Sequence, residues 1–442
     1  MNGVDASGNW VPCTTRNLIA DGKLVIGDGY RAKNSELSSE GLPFARAGNI
    51  NGGFHFIDAD RFPVEEIAKA GDKVSQPGDV VFTSKGTVGR LAFVHSTTPR
   101  FVYSPQLCYW RSLDQDAIDS RWLYFWMHGG EFGYQVAGLK GQTDMADYVS
   151  LSDQRNMEIS LPPIDVQRAI AGVLGALDDK IEQNRRTAQA LEKLARAIFH
   201  AWFVDFEPVK AKAAGATSFP SMPQLVFDAL PTCFVDSDIG PVPKGWDVKP
   251  LSKVCTLVSG GTPKRSESAY WAGDIPWYSV RDAPSDGNVW VTTTTEDISE
   301  AGLANSSARL LPKGGTIISA RGTVGKIAMA GVPMTFNQSC YGLLPADRQA
   351  FGYLYQLVQS AVDELRQRTH GSVFDTITRT TFDALAVVSP KRGVVASFTL
   401  VTNPLFEVML SLIQESTKLA EMRDYLLPRL LSGAVRVEAG RG

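Results

Sequence analysis

The sequence is poor in the features that mark secreted, zinc-binding or membrane-spanning proteins. Its five cysteines lie far apart, at positions 13, 108, 233, 255 and 340, and no C-x-x-C pair occurs. A disulfide framework and a zinc site are therefore not expected, and the thiols are predicted to be reduced. No uninterrupted run of about 18 apolar residues is present, and the N-terminus, MNGVDASGNW, lacks the basic and apolar regions of a signal peptide. We expect a cytoplasmic protein without a transmembrane helix.

An excess of positive charge is also missing. The formal net charge is −3, whereas a protein that binds nucleic acid on its own is usually basic. This balance argues against tight DNA binding by the isolated chain, but it leaves sequence readout by local loops open. The length of 442 residues exceeds one ordinary core and predicts two or more domains.

Signatures of catalysis are absent as well. An amino-methyltransferase needs an Asn/Asp-Pro-Pro-aromatic loop to hold an extruded base, but the nearest stretch, LPPI at 161–164, has no polar residue before its prolines. A nuclease needs clustered carboxylates to hold magnesium. Asp205, Glu207 and Lys210 lie close together, but in a proline-containing turn, and are interpreted as solvated charges. The five histidines show no ligand spacing. An enzyme is therefore disfavoured.

What the sequence does contain is an internal repeat. The segment SKGTVGRLAFV (84–94) returns as SARGTVGKIAM (319–329). The paired glycines of G-T-V-G suit a hairpin turn that needs positive φ angles. A phosphate-binding loop is the poorer interpretation, because Ala320 and Ile327 stand where a Walker A motif needs glycine and Ser/Thr.

The repeat extends beyond the turn. When Gly86 is placed on Gly322, residues 77–86 fall on 313–322. SPQLCYW then aligns with FNQSCYG, and LPFARAGN with IPWYSVRD. Each half is predicted to form short strands, the glycine turn, more strands and a helix. The alignment pairs Gln106 with Gln338, Cys108 with Cys340, Tyr109 with Tyr341 and 42–49 with 275–282, and the predicted helices are 120–136, capped by Asp119, and 348–365, capped by Asp347.

A long amphipathic helix is predicted between the halves, over residues 163–203. Its apolar and small residues recur in alternating steps of three and four, which is the pattern of a coiled-coil seam with one phase shift. Asn184 occupies a seam position, where a buried amide typically fixes the register. The seam residues are Val166, Ile170, Val173, Leu177, Ile181, Ala188, Leu191, Ala195, Ile198 and Trp202.

A second long helix at the C-terminus is the expected partner. A shift of 228 places Pro162 on Pro390 and the first seam on a second one, although Asn184 then meets Leu412 rather than another amide. Pro404 should kink this helix near its start and Pro428 should weaken its end. The alternative is that each helix packs only on its own globular domain.

The predicted fold class is α+β, with two similar α/β target-recognition domains separated by two long antiparallel helices. These helices form a coiled coil with pseudo-twofold symmetry and hold the domains apart. The stretch 207–223 is rich in proline, glycine and alanine and is predicted to be a loop or linker. The predicted parts are the first domain at 1–158, the central helix at 159–212, a linker at 213–238, the second domain at 239–388 and the C-terminal helix at 389–442.

These segments resemble a known family. GPVPKGWDVKPLSKVCTLVSGGTPKRSESAYWAGDIPWYSVRD (240–282) looks like the start of a target-recognition domain in the specificity subunit of type I restriction-modification systems. IGDGYRAKNSEL (26–37), with the blocks at 81–94 and 101–111, resembles another class of that domain. LPPIDVQRAIAGVLGALDDKIEQN (161–184), FVDFEPVKAK (203–212) and LPRLLSG (427–433) are similar to the family's helical regions. The resemblance covers essentially the whole chain. One departure is that only Asn9 and Trp10 approximate the P-x-G-W expected before the first domain.

The resemblance implies a role without catalysis. Such a subunit binds a bipartite sequence in double-stranded DNA, one half per domain, and its helices recruit two methylation subunits, to which restriction subunits attach. The two domains differ outside the shared blocks, so the target should be asymmetric. S-adenosylmethionine, ATP and magnesium are expected on the partner subunits, and none on this chain. No membrane partner is expected. The rival hypothesis is a coiled-coil assembly protein whose twin globular domains do not bind DNA.

Candidate DNA contacts are side chains that suit base edges and phosphates, on loops of both halves. For any one of them the plainer role is a solvated or turn-stabilising side chain. Gln106 and Gln338 could each satisfy buried backbone groups, which would also explain their repetition. The candidates are Tyr30, Arg31, Lys33, Asn34, Arg46, Asn49, Ser84, Lys85, Thr87, Arg90, Gln106 and Gln142 in the first half, and Thr262, Lys264, Arg265, Tyr278, Arg281, Ser319, Arg321, Thr323, Lys326, Asn337, Gln338, His370 and Ser372 in the second.

Overall fold

The protein divides into two compact units. The first comprises Met1–Lys180 with Leu419–Gly442, and the second comprises Ile181–Lys418. Each unit contains one half of the sequence repeat together with part of both long helices. The computed structural model describes residues 10, 12–139, 148–284, 288–370 and 376–437, with the backbone alone for 363–370.

The first half of the chain runs through short strands into the first long helix. Its strands are β1 (Pro12–Thr14), β2 (Leu24–Asp28), β3 (Leu42–Ala45), β4 (Arg61–Phe62), β5 (Val80–Thr83), β6 (Leu91–Phe93), β7 (Val102–Tyr103), β8 (Leu107–Ser112) and β9 (Glu158–Ser160). Its helices are α1 (Thr15–Ala20), α2 (Ile67–Ala70), α3 (Ser120–His128), α4 (Gly130–Leu139), α5 (Leu151–Arg155) and α6 (Ile164–Phe199), which a π-helical turn, His200–Val204, extends.

The second half repeats this plan. Its strands are β10 (Phe234–Val235), β11 (Val242–Pro243), β12 (Asp247–Pro250), β13 (Cys255–Ser259), β14 (Ile275–Tyr278), β15 (Trp290–Val291), β16 (Asp297–Ile298), β17 (Thr316–Ser319), β18 (Ile327–Ala330), β19 (Thr335–Phe336), β20 (Cys340–Pro345) and β21 (Ala386–Ser389). Its helices are α7 (Glu207–Ala213), α8 (Gln224–Asp228), α9 (Leu251–Val254), α10 (Glu300–Ala304), α11 (Phe351–His370), α12 (Arg379–Ala384) and α13 (Arg392–Leu431).

The two units build matching pairs of sheets. The strand orders are β2-β8-β5-β6 and β4-β3-β7 in the first unit, and β13-β20-β17-β18-β15 and β16-β14-β19 in the second. In both units the glycine turn joins an antiparallel hairpin, β5–β6 or β17–β18. In both units a parallel pair forms in the smaller sheet: β3 pairs with β7 in the first unit, and β14 pairs with β19 in the second. The predicted repeat is therefore confirmed strand by strand.

The strand register corrects one detail of the predicted alignment. Thr83 pairs with Leu107 in the first unit, and its equivalent Ser319 pairs with Cys340 in the second. Cys340 therefore corresponds to Leu107, and the predicted match with Cys108 was wrong by one residue. A shift of one residue moves a side chain to the opposite face of a sheet. Accordingly, Cys108 and Cys340 lie in cores on opposite faces of their sheets.

Only one of the two predicted helix caps is present. Asp119 caps α3, because its carboxylate accepts a hydrogen bond from the backbone N–H of Trp122 at 2.8 Å. The predicted helix 120–136 is two helices, since α3 ends at His128 and α4 begins at Gly130. The second cap was wrong: α11 begins at Phe351, too far along for Asp347 to cap it. That carboxylate instead accepts from the N–H of Gln349 at 3.2 Å.

The long central helix is confirmed. In the second unit α6 and α13 run antiparallel: Asn184 Nδ2 donates to Glu415 Oε2 at 2.8 Å, and Phe199, further along α6, packs on Phe398, earlier in α13, at 5.9 Å between ring centroids. Asn184 is 2% exposed, so the predicted buried amide is present, with an acidic partner rather than a second amide. In the first unit Leu174 is buried in the core, whereas the predicted seam residue Val173 is exposed.

The second long helix, α13, is strongly apolar. By length and composition alone α13 could cross a membrane, with a hydropathy of 1.5 over its most apolar window. Such a test does not distinguish a membrane span from a core helix. Phe398 and Phe406 are each buried in cores of the second unit, and Leu430 in the core of the first. These contacts favour a core helix. The helix is continuous through Pro404 and Pro428.

The predicted loop at 207–223 is partly helical. Pro208 lies in the first turn of α7, where a missing N–H costs nothing, so proline does not exclude a helix there. Phe206, just before this helix, adopts a left-handed conformation with φ 55°. Asp205, Glu207 and Lys210 are exposed, as predicted for solvated charges.

The entry to the first domain also has a match. Trp10 stands two residues before β1, and Trp246 stands directly before β12, the strand that pairs with β21 as β1 pairs with β9. Trp246 is buried in the core of the second unit, while Trp10 is partly exposed beside Gly433. Trp10 is therefore the first domain's counterpart of Trp246.

Candidate nucleic-acid interface

The repeated glycine turn has the same construction in both domains. Gly86 and Gly322 have φ angles of 81° and 73°, in the region that favours glycine, as predicted. Inside the first turn, Thr83 Oγ1 donates to the carbonyl of Thr87 at 2.6 Å and accepts from the N–H of Arg90 at 2.8 Å. Ser319 makes the equivalent bonds in the second domain. The hydroxyl at the base of each turn therefore fixes the conformation of the loop tip.

A second loop approaches the same part of each domain. It follows β2 in the first domain and β13 in the second, and it begins with Gly29 or Gly260. A Cβ added at Gly29 would clash with the carbonyl oxygen of Ser104, and one added at Gly260 with that of Asn337. Glycine is therefore required where this loop crosses the segment before the last strand of the sheet.

A short 3-10 turn is the third shared part. It spans Ala47–Asn49 after β3 and Val280–Asp282 after β14. The last side chain of each turn accepts a hydrogen bond from the N–H three residues earlier. Asn49 Oδ1 accepts from Arg46 at 2.8 Å, and Asp282 Oδ2 accepts from Ser279 at 2.8 Å.

Hydrogen bonds join these parts into one surface. In the first domain the carbonyl of Gln106 accepts from the N–H of Ser84 at 3.0 Å, and its side-chain oxygen accepts from the N–H of Ala47 at 3.1 Å. In the second, the carbonyl of Ser339 accepts from the N–H of Ala320 at 2.7 Å. We call this surface the recognition face; it comprises 29–34, 46–49, 84–90 and 104–106 in the first domain and 260–265, 279–282, 320–326 and 337–339 in the second.

The recognition face contains most of the predicted contact residues. Tyr30, Asn49, Thr262 and Asn337 are partly exposed. The exposed ones are Arg31, Lys33, Asn34, Arg46, Lys85, Thr87, Arg90 and Gln106 in the first domain, and Lys264, Arg265, Arg281, Arg321, Thr323, Lys326 and Gln338 in the second. Their contact with DNA stays a prediction.

Three predicted contact residues are buried, and these assignments were wrong. Ser84 is 1% exposed and hydrogen-bonds with the thiol of Cys108. Ser319 and Tyr278 are each 0% exposed. Ser319 stabilises the glycine turn from inside, and Tyr278 lies in the core, where burial raises its pKa. None of these side chains can reach a ligand in this conformation.

Several exposed candidates are already engaged within the protein. Arg90 donates to the carbonyls of Ala47 and Ile50 at 3.2 and 3.1 Å, and Arg46 pairs with Asp60 at 2.6 Å. These two arginines therefore also position the loops. Gln106 serves a part-buried backbone group, as the alternative interpretation predicts. Gln338 does not, because it accepts from the side chain of Thr262.

Three candidates cannot be placed. Gln142 and Ser372 lie outside the described residues. His370 is the last residue of α11, but its side chain is not among those described.

In the second domain the recognition face forms a surface cleft. It brings together five predicted residues and four that the prediction missed, Trp277, Ser279, Val280 and Glu296. Arg265 pairs with Glu296, with 3.1 Å between Nη2 and Oε2, and its guanidinium lies 3.7 Å from the ring centroid of Trp271. The hydrogen bond from Arg265 holds the pKa of Glu296 below its usual range. The five predicted residues are Thr262, Arg265, Arg281, Asn337 and Gln338.

The recognition face offers hydrogen-bonding groups and charge. Within the described residues, no group of three or more His, Cys, Asp or Glu side chains is placed to hold a metal ion. Cys108 and Cys340 are buried free thiols, and burial raises the pKa of each, to about 12 for Cys340. The class of protein that this fold and surface define is a two-domain recognition protein with exposed polar loops on a repeated scaffold.

Comparison with known proteins identifies the family. The family model of the type I restriction modification DNA specificity domain matches the chain twice, at residues 26–193 and 243–392. These matches cover more than half of the chain and coincide with the two halves of the repeat. The chain therefore belongs to this family, as the sequence resemblance predicted.

Individual relatives agree with this assignment. The chain is 25% identical to the type I restriction enzyme HindI specificity subunit of Haemophilus influenzae over 422 residues, covering 86% of this chain and 91% of that one. It is 30% identical to the MjaIX specificity subunit of Methanocaldococcus jannaschii over 161 residues, covering 36% and 37%. In fold it is similar to the crystal structure of the S subunit of a type I restriction-modification system from M. genitalium, with a TM-score of 0.56, 16% identity and 96% of both chains covered.

Proposed function

We propose that this chain is the DNA-recognition subunit of a type I restriction-modification complex, and that each of its domains reads one half of a bipartite target. The observation that carries the proposal is the repeated recognition face. Both domains build it from the same strands, the same glycine turn and the same close approach of loop and sheet. Two copies of one scaffold in one chain suit two half-sites in one DNA duplex.

The target is asymmetric. Equivalent positions on the two recognition faces carry different side chains, which will contact different base edges. Arg31 corresponds to Thr262 in the loop after the first sheet strand, and Arg46 corresponds to Ser279 before the 3-10 turn. At the hairpin tip Lys85 corresponds to Arg321. Two identical half-sites would require similar side chains at these positions.

Partner subunits complete the activity. The net charge of −3 leaves this chain short of the positive charge that neutralises DNA phosphates. Two methylation subunits would supply much of that contact, and restriction subunits would join through the complex. S-adenosylmethionine, ATP and magnesium would bind those partners, and the chain itself would contribute recognition in the cytoplasm. The rival, an assembly protein with twin domains that bind no DNA, is not favoured by the family match.

The experiment is methylation mapping. The chain is co-expressed with the methylation subunit encoded beside it, in a host without other adenine methylation, and methylated adenines are mapped across the genome. We expect one asymmetric target made of two short specified parts separated by an unspecified gap. A chimera in which another family member's first domain replaces residues 1–158 should change one part and leave the other unchanged. Change in both parts together, or methylation without any such target, would contradict the proposal.

A further inference from the structure

The two 3-10 turns of the recognition face differ at their central residue. In the first domain that residue is Gly48, which has no side chain, and in the second it is Arg281. The backbone around both is the same, because each turn follows the central strand of the smaller sheet and is closed by its last residue. A long cationic side chain is therefore present on one recognition face and absent from the equivalent point of the other.

The turn that presents Arg281 is held rigidly. The carboxylate of Asp282 accepts four hydrogen bonds: from the N–H and hydroxyl of Ser279 at 2.8 and 2.9 Å, and from the N–H and hydroxyl of Thr295 at 2.8 and 2.6 Å. Although partial burial opposes ionisation, these bonds hold the pKa of Asp282 below its usual range. A turn fixed on both sides gives the side chain between them a defined starting point.

Arg281 itself is exposed and has no hydrogen-bond or ion-pair partner within the described part of the chain. The nearby carboxylate of Glu296 is already paired with both terminal nitrogens of Arg265. Arg265 is further held against Trp271 and Trp277, with 3.7 and 5.0 Å to the ring centroids. Of the two arginines in the cleft, only Arg281 therefore has its planar set of donors available to a ligand.

The chemistry of the cleft favours a base edge over a phosphate. Glu296 neutralises Arg265, so among the described residues that line the cleft Arg281 carries the uncompensated charge. Beside it the amides of Asn337 and Gln338 and the hydroxyl of Thr262 can exchange hydrogen bonds with base edges. An arginine that offers two parallel donors matches the O6 and N7 acceptors of guanine in the major groove. We propose that Arg281 is a specificity-determining residue that reads a guanine in the half-site of the second domain. This inference rests on the proposed function and adds the residue and the base.

The test uses the complex of this chain with its methylation subunits and a DNA library randomised over the second half-site. Arg281→Gly reproduces the residue found in the first domain. It should lower methylation of the preferred guanine-containing sites by roughly 5- to 100-fold and relax the preference at that one base pair. The first half-site should be unaffected. Arg348→Gly removes an exposed arginine outside the cleft and is the matched control, with unchanged preference.

The salt dependence of binding distinguishes a contact of Arg281 with a base from a contact with a phosphate. If Arg281 bound a phosphate, the glycine variant would weaken binding of all sequences equally and lower the salt slope by about one. That result, or an unchanged preference at every base pair, would overturn the inference. If the unmodified complex itself showed no two-part target, the proposed function would fail first. Unfolding temperatures of the variant and the unmodified chain should agree, since the removed side chain is exposed.

Discussion

The two recognition domains each contain the same kind of sheet, but the side chains buried against that sheet differ. The first buries an ion pair: Asp79 is 0% exposed, and Arg111 Nε lies 2.6 Å from its Oδ1. The hydroxyl of Tyr103 donates to the same carboxylate at 2.6 Å. The second domain has Gly315 and Leu344 at the positions of the aspartate and the arginine. The fold therefore does not depend on buried charge, which agrees with the small net benefit of such pairs.

The second domain replaces the network with an apolar arrangement. Its equivalent of Tyr103 is Phe336, which is fully buried without a hydroxyl. Leu311 occupies the position of Ser75 and fills the space above Gly315, where an added Cβ would clash with it. Four positions have therefore changed together. The first domain has the complete charged set and the second has the complete apolar set. A mixture of the two sets would leave an unpaired buried charge or a cavity.

The largest expected effect on stability comes from removing the carboxylate of the buried charged network. Asp79→Ala leaves the buried guanidinium of Arg111 without its carboxylate, and breaking a buried pair in this way typically costs about 3–5 kcal/mol. We expect a loss of this size in the free energy of unfolding of the first unit. Urea unfolding, followed by hydrogen exchange of peptides from β5 and β8, measures it locally.

The matched control places the second domain's four apolar residues at the equivalent positions of the first domain. The four-residue graft Ser75→Leu, Asp79→Gly, Tyr103→Phe and Arg111→Leu removes every charge of the network at once. It should cost much less than the single change Asp79→Ala, because no buried charge is left alone. A graft as unstable as the single variant would show that the two interiors are not interchangeable and would break the comparison.

The repeat could be predicted because the backbone of its turns requires particular residue types. Glycines that need a positive φ, such as Gly86 and Gly322, can be recognised without a structure. The burial of Ser84 and Tyr278 could not, because it depends on which face of a strand each residue occupies. That face follows from pairing with distant strands, and the predicted pairing of Cys108 with Cys340 was wrong by one residue. The pairing of Arg265 with Glu296 joins residues 31 positions apart and has no local signal.

An intermediate effect is expected at the glycine turns, where the two domains should respond equally. Gly86→Ala and Gly322→Ala each place a Cβ in open space, so the cost comes only from the left-handed backbone. That strain is roughly 1–2 kcal/mol per residue. Gly48→Ala also points into open space, but its φ is not in that region, so it should cost little. Local hydrogen exchange of β5–β6 and β17–β18 measures each loss. Clearly unequal losses in the two turns would mean that the hairpins are not equivalent.

The smallest expected effect separates two glutamines that look alike in the sequence. Gln106 corresponds in register to Ser339, and its side-chain oxygen accepts from the part-buried N–H of Ala47 at 3.1 Å. Gln338 instead accepts from the exposed hydroxyl of Thr262, which water can replace. Gln106→Ala should therefore cost about 1 kcal/mol, the usual contribution of a hydrogen bond, whereas Gln338→Ala should stay within about 0.5 kcal/mol.

Exchange of the amide of Ala47 reports this difference directly, because that N–H loses its acceptor only in the first variant. If both variants lost the same stability, the two glutamines would contribute equally, and the contrast drawn from their hydrogen bonds would fail. If Gln106→Ala changed only methylation specificity and left the exchange of Ala47 unaltered, the side chain would act on DNA rather than on the loop. The register therefore predicts that Gln106→Ala lowers the stability of the loop that contains Ala47, and that any change in recognition follows from that loss.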